Sequence, residues 1–111
     1  MCIFCKIVEG SIPSEKVFEN ENILAFKDIT PKAPTHFLVI PKKHIETLYD
    51  AQAEDQALLG EMMLVAQNLA KEAGHEVKGA RFIMNCKEFG GQEVYHIHLH
   101  VLAGRQLGAM G

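Results

Sequence analysis

The most informative stretch of this sequence is Tyr95 to Ala103, in which histidines alternate with apolar residues. The three histidines are His96, His98 and His100. Successive side chains of a β-strand point to opposite faces, so residues two apart share a face. The alternation therefore predicts a strand with one apolar face turned to the core and one face that presents three imidazoles.

Three kinds of chemistry suit such a row of imidazoles. The histidines could lie on a solvated sheet face, but strict alternation of three of the chain's six histidines argues against that interpretation. A His-x-His pair on a strand also has suitable geometry for zinc ligands. Alternatively, a neutral imidazole with one ring nitrogen held as a donor keeps a free lone pair, and is a nucleophile for phosphorus near pH 7. The pattern alone leaves the metal and the phosphoryl interpretations open.

The elements that must position these histidines can be predicted from apolar spacing and turn residues. A short helix over Ile3 to Val8 is ended by Gly10, and a long helix runs from about Ala53 to Ala73. Five strands are predicted, at Lys16 to Asn20, Asn22 to Asp28, His36 to Ile40, Ala80 to Cys86 and Tyr95 to Ala103. Residues 88–92, which include two glycines, form a loop before the histidine strand. Five strands and one main helix with short links indicate an α+β domain with an antiparallel sheet.

The composition is that of one ordinary globular domain. The 111 residues are 48% apolar and 23% charged, with a net charge of −3 and a pI near 6.0. The densest basic run, at residues 42–44, is too short for a nucleic-acid surface, and no apolar run is long enough to span a membrane. The first residues lack the pattern of a signal peptide, and an odd number of cysteines, three, favours a reducing, cytoplasmic location. We therefore expect neither a nucleic-acid nor a membrane partner.

Beyond the histidines, long segments of the chain resemble one protein family. The segments are Ile3–Ile7 with Ile12–Pro13, Phe26–Pro31, Ala33–Ile45 and Gly90–Tyr95, followed by the pattern His-φ-His-φ-His-φ-φ, in which φ is apolar. Together they are similar to the Hint branch of the histidine triad (HIT) superfamily, in its bacterial form. The resemblance implies a single HIT domain over residues 1–111, with a five-stranded antiparallel sheet, one long helix and one short helix. Two copies would join into a homodimer with a continuous ten-stranded sheet.

The resemblance implies a purine nucleoside phosphoramidase, a hydrolase that cleaves the P–N bond of purine nucleoside 5′-phosphoramidates. The middle histidine, His98, would attack the α-phosphorus and form a nucleotidyl-histidine intermediate, which water then hydrolyses. The other members of the implied catalytic set are His96, His100 and, from a neighbouring strand, His36. A covalent intermediate replaces one difficult displacement by two easier ones, and needs no cofactor.

The resemblance also assigns the residues that would hold the nucleotide. Asp28 would accept hydrogen bonds from both ribose hydroxyls, a sound pairing of two carboxylate oxygens with a vicinal diol. The apolar cleft around the base would be lined by Phe4, Phe26 and Ile29. The residues around the phosphate, where negative charge builds in the transition state, would be Asn85, Gly91, Gln92, Glu93, Val94, His98 and His100. Glu93 replaces the serine of animal members, so the main-chain donor remains but the side-chain hydroxyl is lost.

A possible metal site lies at the start of the chain. Cys2 and Cys5 are spaced i, i+3 on the predicted first helix, so both thiols share a face. By resemblance to zinc-bearing members of the family, they would bind a structural zinc ion with His44 and His96, and tie the first helix to the histidine strand. The alternative is a pair of ordinary thiols near a frayed terminus. Members that lack the cysteines imply that the metal is not needed for catalysis.

Three other functions stay open. A Fhit-like hydrolase of dinucleoside polyphosphates shares the triad, although the residues on either side of the triad fit the Hint branch better. The second is a nucleotide-binding or interaction protein without turnover. The third is a hydrolytic metalloenzyme with its metal on the histidine strand, which would lose all activity on chelation. None of these patterns specifies the leaving amine, the choice between adenine and guanine, or a protein partner.

Overall fold

The computed structural model describes residues 2–111, which form one antiparallel sheet with helices on both faces. The strands lie in the order β1-β2-β3-β5-β4. Their bounds are β1 Lys16–Glu19, β2 Ile23–Lys27, β3 Thr35–Pro41, β4 Ala80–Ile83 and β5 Leu99–Ala103. The helices are α1 Ile3–Glu9, α2 Gln56–Glu72 and the one-turn α3 Lys87–Gly90, with 3₁₀ turns at Leu48–Asp50 and Ala53–Asp55. The predicted α+β class, a five-stranded antiparallel sheet with one long and one short helix, is confirmed.

Helix α1 covers one face of the sheet. It begins at Cys2, whose sulfur accepts a hydrogen bond from the N–H of Cys5, and it ends at Gly10, which has a left-handed φ of 88°. Glycine adopts this conformation without a Cβ clash, so it terminates the helix as predicted. The helix buries Phe4 and Ile7 in a cluster with apolar residues of β2 and β3. This face of the sheet also carries the triad histidines.

Helix α2 covers the opposite face and supplies the larger core. Its buried residues are Met62, Val65, Ala66, Leu69 and Ala70, which recur at the i, i+3, i+4 spacing of one helical stripe. They pack against the apolar partners of the triad histidines, which are Ile97, Leu99 and Val101. The prediction that alternate residues of the histidine stretch face opposite sides is therefore correct.

The largest departures from the predicted elements lie around the triad. Strand β5 begins at Leu99, where its pairing with Val39 of β3 starts, instead of at Tyr95. Strand β4 ends at Ile83 instead of Cys86, because it pairs with β5 only from Ala80 to Ile83. Ahead of β5 the chain bends at residues 94–96 and is held by a main-chain bond from Ile97 N to Ile45 O, 2.8 Å long. The predicted loop over 88–92 is partly helical, as α3.

None of the helices in the described residues is long and apolar enough to cross a membrane.

Candidate functional site

His98 lies under α1 with one ring nitrogen fixed. Its Nδ1 is 2.8 Å from the main-chain oxygen of His96, and a carbonyl oxygen can only accept, so the bond assigns the proton to Nδ1. The lone pair of Nε2 is then free. The side chain is buried beside the ring of Phe4, whose centroid is 5.1 Å away at right angles. Burial lowers the pKa of His98, which favours the neutral form of the imidazole.

A second pair of histidines is ordered by the loop before β3. The N–H of Lys32 donates to Nδ1 of His36 over 3.1 Å, so the proton of a neutral His36 lies on Nε2. That Nε2 is 2.9 Å from Nδ1 of His100 and donates to it. His100 is then left with a proton on its own Nε2, which is available to a ligand. Burial lowers the pKa of His36, and burial together with His98 and His36 lowers the pKa of His100 to about 4.

Asp28 follows β2 and lies beside the same histidines. One carboxylate oxygen accepts from the N–H of Thr30 over 2.8 Å, and the other is 3.4 Å from Nε2 of His36. The side chain is 19% exposed, so it keeps a free edge for a hydroxyl donor. Donor atoms of Asp28, His36 and His100 all lie within 4.8 Å of one another, an arrangement that could also hold a divalent cation. The metalloenzyme alternative therefore has a geometric basis.

The side chain of Gln92, which the resemblance places near the phosphate, forms three hydrogen bonds within the protein. Its Nε2 donates to Glu46 O over 2.7 Å and to Val94 O over 3.1 Å, and its Oε1 accepts from the N–H of Lys87 over 2.8 Å. The main-chain N–H of Gln92 is bound to Lys87 O. No N–H of this residue is left for a phosphate. Gln92 instead fixes the loop that precedes the triad, including Lys87, a non-glycine residue with φ of 60°.

The main-chain N–H groups of Glu93 and Val94 are free to donate to a ligand. Neither has an acceptor among the residues described here. Gly91 has a φ of 84°, which favours glycine, and a Cβ placed on it would lie 3.9 Å from Nδ2 of Asn85. Asn85 and Gly91 are thus neighbours, as the resemblance implied. Glu93 is exposed, and its carboxylate raises the pKa of His98 slightly against the larger effect of burial.

The residues expected around the base lie in two different environments. Phe4 and Phe26 are buried and pack edge to face, with ring centroids 5.6 Å apart. They border the triad because Phe4 also contacts the rings of His96 and His98. Ile29 is 96% exposed, so it belongs to the rim of the site and not to the buried cluster.

The two cysteines of α1 meet two histidines in a compact cluster. The Nε2 of His96 is 2.7 Å from Pro41 O, which places its proton there and leaves the Nδ1 lone pair free. That Nδ1 lies 3.3 Å from the sulfur of Cys2, 3.5 Å from the sulfur of Cys5 and 3.2 Å from Nδ1 of His44. The two sulfurs are 3.1 Å apart, and each lies 3.3–3.5 Å from His44 Nδ1.

This donor set fits a tetrahedral metal. For zinc, with bonds of about 2.3 Å to sulfur and about 2.0 Å to nitrogen, the edges between ligand atoms are roughly 3.3–3.8 Å. The observed edges match this range, apart from a shorter sulfur–sulfur edge. The four residues predicted to bind a metal lie together in the structure. They form one of two groups of potential metal ligands among the described residues.

The sequence did not identify three main-chain groups that orient buried side chains near the triad. They are main-chain atoms of Lys32, Pro41 and Glu46, which bind His36, His96 and Gln92 respectively. Every residue but proline carries the same main-chain donor and acceptor, so no pattern of residue types could identify these three. The apolar β3 pattern could only suggest that some carbonyl would lie near the triad.

Comparison with known proteins agrees with this geometry. A family profile described as scavenger mRNA decapping enzyme C-term binding matches residues 1–110. The purine nucleoside phosphoramidase of Escherichia coli (strain K12) is 49% identical over 108 residues, 97% of this chain and 91% of that protein. The crystal structure of a HIT family hydrolase from Legionella pneumophila Philadelphia 1 superposes with a TM-score of 0.95 and 53% identity, over 97% of this chain and 96% of that one.

A third relative bears on the metal cluster. A zinc-bound histidine triad family protein from Mycobacterium smegmatis is 38% identical, with a TM-score of 0.82, and the match covers 94% of this chain and 75% of that one. Identity and coverage of this extent, together with the family profile, establish the family to which the chain belongs. The chain belongs to the histidine triad family.

Proposed function

We propose that this protein is a purine nucleoside phosphoramidase that works through a covalent nucleotide on His98. The observation that carries the proposal is the fixed proton of His98: Nδ1 donates to His96 O, and Nε2 is left as a buried, neutral nucleophile. The activity that the name of the Escherichia coli relative describes supports the same reaction. This is the reaction that the resemblance to the Hint branch implies.

The reaction balances in two displacements. In the first, Nε2 of His98 attacks the α-phosphorus, the P–N bond breaks, and the amine leaves with its electron pair and takes up a proton. The imidazolium formed on His98 is stabilised because its Nδ1–H already donates to a carbonyl. In the second, water attacks the same phosphorus, the P–Nε2 bond breaks, water releases a proton that balances the one taken up by the amine, and the nucleoside monophosphate is released.

The neighbouring groups would stabilise the charge on phosphorus. Nε2–H of His100 and the main-chain N–H groups of Glu93 and Val94 are donors that would bind the phosphoryl oxygens. Asp28 would accept from the ribose hydroxyls through its free edge. Because these donors are held before substrate arrives, little reorganisation is needed during reaction.

The test is release of AMP from adenosine 5′-phosphoramidate by the wild type and by His98→Ala, with and without EDTA. We expect release that survives EDTA and falls by at least about 10³-fold in His98→Ala. His75→Ala is the matched control, since His75 bonds to Thr35 away from the triad. Guanosine 5′-phosphoramidate in the same assay measures the base preference.

Other results would point elsewhere. No release by the folded wild type would reject the phosphoramidase, and cleavage of dinucleoside polyphosphates or binding of AMP without turnover would then be measured. Loss of activity in EDTA, with the fold retained, would favour a metal at Asp28, His36 and His100.

We also propose that the cluster of Cys2, Cys5, His44 and His96 binds zinc. When bound, the ion would supply a structural cross-link between α1 and the segment that precedes β5. The support comes from four converging lone pairs and from the zinc-bound Mycobacterium smegmatis relative. The three cysteines, which are all free thiols, agree with the predicted reducing, cytoplasmic location.

Finally, we propose a homodimer in which the β4 edges of two copies pair. The support is the predicted ten-stranded sheet of the family, together with exposed apolar side chains on β4 and on α2. Phe82 on β4 is 38% exposed, and Met63 and Leu64 on α2 are more than half exposed.

A further inference from the structure

One loop residue, Lys32, makes the hydrogen bond at Nδ1 that orders the protons of His36 and His100, and the carboxylate of Asp28, 3.4 Å from Nε2 of His36, favours the same tautomer. Because the N–H of Lys32 can only donate, Nδ1 of His36 must accept, and His36 must donate to His100. If the N–H of Lys32 moved away, His36 could take the opposite tautomer. The His36–His100 hydrogen bond would then reverse, and Nε2 of His100 would present a lone pair to the phosphate instead of a proton.

The loop that carries Lys32 has few anchors of its own. It contains Pro31 and Pro34, which lack a main-chain N–H. In the described part of the chain, the main-chain groups of residues 31–34 form two hydrogen bonds, and both involve Lys32. One is the donation to His36. In the other, Lys32 O accepts from Nη2 of Arg105 over 3.0 Å.

Arg105 is well placed to hold this loop. It follows β5 by two residues, and the last residue of β5, Ala103, pairs with Thr35 at the end of the loop. Between Ala103 and Arg105, the chain passes so close to the loop that a Cβ on Gly104 would lie 2.8 Å from Cβ of Pro34. The chain after β5 therefore packs directly on the loop, and the guanidinium holds the carbonyl of the residue whose N–H fixes His36.

We propose that Arg105 is a positioning residue that, through Lys32, sets the tautomers of His36 and His100. The chain of contacts is Arg105 Nη2 to Lys32 O, Lys32 N to His36 Nδ1, and His36 Nε2 to His100 Nδ1, at 3.0, 3.1 and 2.9 Å. The kinetic consequence rests on the proposed function, but the tautomers can be measured without substrate.

The experiment compares wild type, Arg105→Ala and Arg81→Ala, each labelled with ¹⁵N-histidine. Arg81 is the matched control because its Nη2 also donates to a main-chain carbonyl, Gly108 O, at 2.9 Å, but it does not touch the loop. Long-range ¹H–¹⁵N spectra distinguish Nδ1–H from Nε2–H imidazoles. In the wild type we expect Nε2–H at His36 and His100, and Nδ1–H at His98.

In Arg105→Ala, mixed tautomers are expected at His36 and His100, while His98 keeps its proton on Nδ1. The kcat for adenosine 5′-phosphoramidate should fall by about 10- to 100-fold with little change in KM, because a donor to the transition state is lost in part of the population. Arg105→Lys should restore part of kcat, since an ammonium can still reach one carbonyl. Arg81→Ala should match the wild type in both readouts.

Wild-type tautomers and kcat in Arg105→Ala would overturn the proposal, as would the same tautomer change in Arg81→Ala. If Arg105→Ala does not fold, Arg105→Gln is read by the same criteria. If the wild type is inactive but has the expected tautomers, and Arg105→Ala gives mixed tautomers, the phosphoramidase is rejected and the positioning role of Arg105 stands.

Discussion

The three triad histidines have the same side chain but three different hydrogen-bonding patterns. His96 donates from Nε2 to a carbonyl, His98 donates from Nδ1 to a carbonyl, and His100 accepts at Nδ1 from a third imidazole. Each pattern is set by one neighbouring group within about hydrogen-bond distance. The outcome is a free lone pair on Nδ1 of His96 beside the cysteines, a free lone pair on Nε2 of His98, and a proton on Nε2 of His100.

His100 should make folding stability depend on pH. Burial and its histidine neighbours lower its folded pKa from an ordinary 6.5 to about 4, so the folded state binds fewer protons than the unfolded state between these values. The contribution of His100 to the free energy of unfolding should therefore be constant above about pH 6.5. It should decrease as the pH falls toward 4, by up to about 3 kcal/mol. Urea unfolding of wild type and His100→Asn from pH 4 to 8 measures the difference.

The difference in unfolding free energy between the two proteins is the informative quantity, because carboxylates titrate in both. We expect the advantage of the wild type to grow between pH 4 and 6.5 and then level off. An advantage that stays constant over this range would mean that His100 keeps an ordinary pKa. His36 shifts in the same direction and adds to the slope in both proteins.

Replacement of Gln92 should damage both stability and turnover. Gln92→Ala removes three hydrogen bonds in a buried position and leaves the N–H of Lys87 and two carbonyls without partners, at a cost of about 2–4 kcal/mol. The loop that presents Glu93 and Val94 would then lose its fixed shape, so kcat should fall as well. Thermal unfolding and AMP release measure the two effects. Gln67→Ala, on the exposed face of α2, should change neither; equal effects of both variants would contradict the anchoring role.

At the scale of elements, periodicity predicted most of the sheet but not the ends of its strands near the site. The alternation at the triad and the apolar stripe of α2 each result from burial against one partner surface. Such burial requires apolar residues at regular spacing, so it can be predicted from the residue types. The limits of β4 and β5 depend instead on how far two distant segments lie side by side. For the same reason, the sequence placed His98 correctly on one face but could not find the carbonyl that fixes its proton.

Helix α1 should depend on the metal cluster for its attachment. It contributes Phe4 and Ile7 to the core, and two of the four donor side chains lie in its first turn or at its start. We expect one zinc per chain by elemental analysis. Chelation should lower the unfolding free energy by at least about 2 kcal/mol, since a ligand in large excess over its Kd stabilises by that amount or more.

Two single-cysteine variants separate a metal effect from a thiol effect. Cys5→Ser should bind little zinc and show the same stability with and without EDTA. Cys86→Ser removes a free thiol outside the cluster and should keep both the zinc and the response to EDTA. Full zinc content in Cys5→Ser would reject the proposed ligand set.

At the scale of the whole molecule, the two faces of the sheet have separate tasks. The α2 face holds the larger core, and the α1 face carries the triad, Asp28 and the metal cluster. The central strands β3 and β5 supply residues to both, because each alternates between the faces. This division leaves the outer strands as the places where a second copy could add to the sheet.

The two edges differ in how they are protected. The β1 edge has a register shift between Lys16 and Phe18, and its Glu19 pairs with Lys16 and Lys42. Bulges and charges of this kind discourage strand addition. The β4 edge carries the half-exposed Phe82. A twofold pairing of β4 with its copy would be closed, and would continue the five strands to ten.

We therefore expect a dimer in solution that separates when the β4 side becomes charged. Phe82→Glu and Leu64→Glu would each place two like charges across a symmetric interface, and both should sediment as monomers. Tyr49→Glu is the control, because it puts the same charge at an exposed aromatic position on the turn before α2. Analytical ultracentrifugation measures mass, and circular dichroism verifies the fold. A wild-type monomer, or variants that remain dimeric, would rule out this edge, whereas dissociation by Phe82→Glu and Leu64→Glu alone would assign the interface to β4 and α2.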